Sequence, residues 1–238
     1  MTIAATPARP KVSARLPWTS ARWAGLGGLT FVVLVALQNA LMAPAAPNNQ
    51  ASAQEILAFA HRDAWLVELL FVTYVMGFPA LLAFGAGLSA VAAARSDRAI
   101  LPGLIGQYSV VLAAMFFGLI NVLQVTLVAA RDDLASDGVL VTTLWTVHNA
   151  IFILNFVAVA GALFGLGRAA VISGIVPAWM ERVSITGALA LAAAALPIVA
   201  EVHGSKLFGL GLAGFLCWLW FVVAAAISLI RLPRGVEQ

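Results

Sequence analysis

The stretch LWTVHNAIFILNF, residues 144–156, sets His148, Asn149 and Asn155 inside an apolar run. His148 and Asn155 are seven residues apart, as are His61 and Glu68. On a continuous helix each pair shares a face. Imidazole and carboxylate are zinc-ligand chemistry, so one set to weigh is His61, His148, His203 and Glu201, with Glu68 beside them. The sequence contains no H-x-x-x-H or H-E-x-x-H spacing, the patterns that put two ligands on one helix face. The other set is polar rather than ligating. Glu68, Asn121, Gln124, His148, Asn149 and Asn155 would line a polar vestibule able to hold a small ligand or a partner. Taken singly, the amides have a plainer role, bonding across helices for ~0.6 kcal/mol per contact.

The elements that must position these residues follow from composition. Of 238 residues, 63% are hydrophobic and 10% are charged. A soluble domain carries about a quarter charged residues, so the chain reads as a membrane protein. The net charge of +3 comes from cations spread thinly between apolar runs. They read as topology signals and give no nucleic-acid surface. A single cysteine, Cys217, excludes an intrachain disulfide and a Cys-based zinc cluster.

Charges divide the chain into six apolar segments, about 23–43, 64–94, 99–130, 139–167, 183–201 and 207–230. Each can cross a hydrocarbon core of about 30 Å, and in lipid such segments should be helices. The expected fold is therefore all-α, a polytopic bundle of six transmembrane helices over residues 23–230. Residues 1–22 and 231–238 form short polar tails. Arg9, Lys11, Arg15, Arg22, Arg95, Arg98, Arg168, Arg182, Arg231 and Arg234 fall on one side, against Arg62, Arg131 and Lys206 on the other. That bias places both termini in the cytoplasm and the chain in the cell membrane. Trp18, Trp23 and Trp179 are expected at the inner interface, Trp65 and Trp145 at the outer one.

The start of the chain has a basic region, an apolar run and small residues near LMAPAAP, which is signal-peptide-like. Its apolar run of about 19 residues exceeds the 7–15 of a signal core, so a retained first helix is expected. In the longest outer connection, 44–62, Ser52 and Glu55 have the spacing of a capping box. The inner connection 168–182 is mildly amphipathic and is expected to lie along the membrane surface.

The opening WAGLGGLTFVVLVALQN, the entry HRDAWLVELLFV and the VPAWMERVSITGAL start of the fifth segment carry a resemblance. With them the chain resembles small six-helix bacterial membrane proteins of unknown function. That resemblance implies the topology and no activity.

Two further patterns look like chemistry. GLGLAG, residues 209–214, matches a nucleotide-binding string but lies inside an apolar segment rather than between strand and helix. Small residues admitting a neighbouring helix are the better account. Pro79 and Pro197 each interrupt a segment about fifteen residues in. Broken helices can flag a transport site, but tolerated kinks are the simpler expectation.

Helix rise of about 1.5 Å per residue then gathers the polar groups in the outer third. A vestibule open to the extracytoplasmic face follows, and with it a non-enzymatic binding, sensory or accessory role. The partners expected are membrane lipid, a small ligand or a partner membrane protein. A small-solute transporter and a membrane-embedded metal-dependent hydrolase are the other readings, and no cofactor is required.

Overall fold

A computed structural model of the chain describes residues 18–202 and 207–232. Those residues form eight α-helices, two short 3-10 turns (Asp97–Ala99, leading into α4, and Asp133–Ser136) and no strand: α1 Trp18–Met42, α2 Ala53–Arg62, α3 Ala64–Arg95, α4 Ile100–Ala129, α5 Gly138–Ile172, α6 Met180–Ala195, α7 Ile198–Val202 and α8 Phe208–Ile230. Five elements are long and apolar enough to cross a membrane: α1, α3, α4 with its leading turn, α5 and α8.

The fifth apolar segment does not form one long helix. α6 stops at Ala195 after 16 residues, and α7 restarts at Ile198 for five. Pro197 has no N–H to donate, and its ring crowds the carbonyl four residues back. Sixteen residues rise only about 24 Å, short of a hydrocarbon core. Pro79, by contrast, is accommodated inside an unbroken α3 and lies on its exposed face.

Packing neighbours run α1–α3–α4–α5–α6–α8 and back to α1, a closed ring. α5 also touches α3 and α8, which makes it the most enclosed of the five long helices. In its most apolar stretch 61% of the residues are buried, against 28–39% in the other four long helices. The sequence explains this position. Ala158, Ala160, Ala162, Gly165, Gly167, Ala169 and Ala170 are all buried on α5, and small side chains let several neighbours approach one axis. The outward faces carry large apolar side chains such as Leu101, Met115, Leu189 and Trp220.

Along the α4–α5 seam, backbone meets backbone. A Cβ on Gly165 would stand 2.6 Å from the Gly106 Cα and 2.8 Å from the Pro102 carbonyl oxygen. Gly161 faces the Ser109 side chain along the same seam. These contacts set an antiparallel register in which residues 106 and 109 oppose 165 and 161. Two of the three glycines of GLGLAG have a packing use: Gly211 meets the Phe156 ring, and Gly214 meets Leu191 and the Gly187 carbonyl, whereas Gly209 faces open space.

The connection 168–182 is partly helical: α5 takes it as far as residue 172, and α6 begins at residue 180. α5 runs on to Ile172 and ends in a Schellman turn, with Gly174 N–H donating to the Val171 carbonyl (3.0 Å) and Ile175 N–H to that of Ala170 (2.9 Å). Gly174 takes φ +68°, which a glycine adopts without a Cβ penalty. Ile175 and Val176 fold inward, and Arg168 pairs with Glu181 across the turn.

At the opposite end, α2 covers the bundle. Ser52 and Glu55 form the expected capping box: Glu55 N–H donates to Ser52 Oγ (3.3 Å), and Ser52 N–H donates to Glu55 Oε2 (2.7 Å). Those Ser52 bonds hold the Glu55 carboxylate below its ordinary pKa. Ile56, Phe59 and Ala60 are the buried face of α2. Ile56 joins Ala51, Leu127, Leu134, Val141 and Trp145 in an apolar cluster separate from the main core.

Candidate functional site

Beneath that cover α4 and α5 present their buried amides to each other. Asn121 and Gln124 are three residues apart on the buried face of α4. His148 and Asn149 are adjacent on α5, about 15 Å along the helix from Gly138. Gln124 Nε2 lies 3.0 Å from His148 Nε2, and His148 Nδ1 lies 3.1 Å from Asn149 Oδ1. An amide nitrogen only donates, so His148 Nε2 is the acceptor. The ring proton therefore sits on Nδ1 and is donated to Asn149. His148 is thus held as one neutral tautomer, set by its two amide neighbours.

Trp145 fixes the ring from the side. Its indole stacks on the imidazole with centroids 4.6 Å apart and planes 6° from parallel. Its Nε1–H donates to the Asn48 carbonyl at 3.0 Å. One residue thereby ties the imidazole to the covering loop. Trp145 is only 4% exposed, so its ring packs inside the protein. Trp65, which is exposed, does take a surface position.

Not all the polar valences are closed. Asn121 Nδ2 donates to the Phe117 carbonyl within its own helix, but Asn121 Oδ1 is buried without a partner. Gln124 Oε1 and Asn149 Nδ2 are in the same condition. The register adds position: 124 opposes 148, so Asn121 sits one helical turn further from α2. Asn155 is buried about 10 Å further along α5 than His148, again with an unpartnered Oδ1. These residues are buried under a cover, whereas a vestibule open to solvent would expose them.

Glu68 does not join them. It lies on the exposed face of α3 with Trp65, Phe71 and Val72. Its place in the expected vestibule lining fails because the α3 face turned inward carries Leu66, Val67, Leu70 and Thr73. The metal set is also dispersed. His61 is exposed, with Nε2 3.7 Å from Asp132 Oδ1, while His148 is buried among amides. Glu201 belongs to α7 and His203 lies outside the described residues. Among the described residues no three His, Cys, Asp or Glu side chains converge as a metal site.

The pairing of Gln124 with His148 joins two residues singled out separately in the sequence. The Asn48 carbonyl is a partner the sequence did not signal, because it is a backbone group 97 residues from Trp145. Only the i, i+3 spacing of Trp145 and His148 is visible in advance. No protein-family model, curated protein or solved structure matches the chain.

Proposed function

We propose that this is an integral membrane protein of six crossings with both termini cytoplasmic, and that its role is non-enzymatic. It offers the amide cluster under α2 to a ligand or partner from the extracytoplasmic side. α6 and α7 together make the fifth crossing. α6 packs between α5 and α8, which supports a crossing completed by α7 after the proline break. α5, at 35 residues, is about 52 Å long. Centred on a 30 Å core it projects about 11 Å at each end, which puts His148 about 4 Å below the outer edge.

The observation that carries the binding role is the set of three unpartnered atoms on Asn121, Gln124 and Asn149. An amide network serving only to hold helices together gains by closing its bonds. One that leaves buried valences open is less stable than it need be, by ~1–3 kcal/mol for each such group. Residues kept at a cost to stability are the mark of a site used for something else.

Asn121→Leu separates the two roles by sign. Its only bond to protein is to a carbonyl in its own helix, so the substitution removes a buried unpartnered oxygen and little more. The purified variant should melt higher than the wild type, with a gain approaching ~1–3 kcal/mol. If Asn121 is packing glue, the variant should instead lose ~0.6 kcal/mol and melt lower.

A further inference from the structure

Glu68, left out of the amide cluster, stands in an environment of its own. Trp65, Glu68, Val72, Val75 and Pro79 are all exposed and follow one another at steps of three and four residues, so they form one outward stripe on α3. Glu68 makes no ion pair among the described residues. The cation nearest to it in sequence, Arg62, is engaged by Asp63 at 2.7 Å. The depth of the stripe follows from the length of α3; it rests on the reading of the chain as an integral membrane protein, but not on orientation or number of crossings. The 32 residues of α3 span about 48 Å. Centred on a core of about 30 Å, the helix projects about 9 Å at each end. Glu68, four residues from Ala64, then lies about 3 Å outside the hydrocarbon, and Val72 about 3 Å inside it.

We propose that this stripe holds a phospholipid with a primary ammonium headgroup, phosphatidylethanolamine, in the leaflet at the α2 end. The ammonium donates to the Glu68 carboxylate in a charge-assisted bond. Its positive charge lies against the face of Trp65, the neighbour one turn back on the same stripe. The acyl chains run along Val72, Val75 and Pro79. Charge selects this occupant. A headgroup with phosphate and no ammonium, such as phosphatidylglycerol, would set like charge against Glu68. A second copy docked two-fold by the same face would bring the two Glu68 side chains together.

The test uses the full chain in nanodiscs of phosphatidylethanolamine and phosphatidylglycerol in equal amounts. The lipids that stay on the protein after its release into a mass spectrometer are counted. Glu68→Gln keeps the shape and removes the charge. It should lower the retained ratio of phosphatidylethanolamine to phosphatidylglycerol by about fivefold from wild type, the worth of one exposed ion pair and its cation–π contact. Trp65→Leu should lower the ratio by about twofold. Asp133→Asn, which removes an exposed acid from the α4–α5 connection, should leave it unchanged. An unchanged ratio in Glu68→Gln, an equal fall in Asp133→Asn, or a second copy or another protein retained on the wild type in place of phosphatidylethanolamine would overturn the site. Retention of the chain in membranes washed with alkaline carbonate is read separately, so a failure of the membrane reading is distinguishable from a failure of the lipid site.

Discussion

Gly165→Leu should abolish the folded bundle. The first added atom already meets backbone, the Gly106 Cα at 2.6 Å and the Pro102 carbonyl at 2.8 Å. Backbone cannot rotate away as a side chain can, so α4 and α5 must separate along their shared face. Ordinary overpacking of a core costs ~1–3 kcal/mol. Here the displaced interface also holds Ser109 against Gly161 and Gln124 against His148, and the loss should exceed that range. Gly165→Ala introduces the same Cβ and should be damaged as well, though without the additional bulk. The check is recovery of monodisperse protein after membrane extraction. Wild-type yield and melting temperature for Gly165→Leu would contradict the packing described.

Trp145→Ala has the second largest expected effect, and it acts on the cover. Burying a large aromatic and then removing it costs ~3–5 kcal/mol in a packed core. The variant also loses the bond to the Asn48 carbonyl and the stack on His148. Trp145→Phe keeps an aromatic face for the imidazole and removes the N–H. Its cost should be nearer the ~1 kcal/mol of one hydrogen bond. Proteolysis within residues 43–62, compared with cleavage elsewhere, reads the cover specifically. Both variants should speed cleavage there, Trp145→Ala by far the more. Equal cleavage rates in wild type and Trp145→Ala would mean that α2 is held by other contacts.

Much of this architecture is legible because it follows from local rules. Apolar length marks the long helices, and the Ser52 and Glu55 spacing marks the start of α2. The amides at 121, 124, 149 and 155 stand out because polar groups are rare in apolar runs. What stays hidden depends on helical rotation. Glu68 and Thr73 sit on one helix, yet only rotation about the α3 axis decides that Thr73 is buried and Glu68 exposed. Hydropathy cannot supply that angle when nearly every face is apolar. Trp145 shows the same limit, since a position near a helix end suits an interfacial tryptophan and a buried one equally. Pro197 shows another: Pro79 also lies within an apolar segment, but only Pro197 separates two helices. α3 continues for sixteen residues past Pro79 and is packed on α1 and α4, whereas α6 ends two residues before Pro197 and α7 begins just after it.

The proposed count of six crossings turns on the broken fifth segment. Six crossings return the C-terminus to the side of the N-terminus, whereas omission of the α6–α7 crossing would send α8 the other way. A topology reporter fused after Gln238 tests this most directly, with reporters at residues 50 and 135 giving the outer reference. A cytoplasmic signal is expected at Gln238, with extracytoplasmic signals at 50 and 135. An extracytoplasmic signal at Gln238, on the same side as the other two, would contradict it.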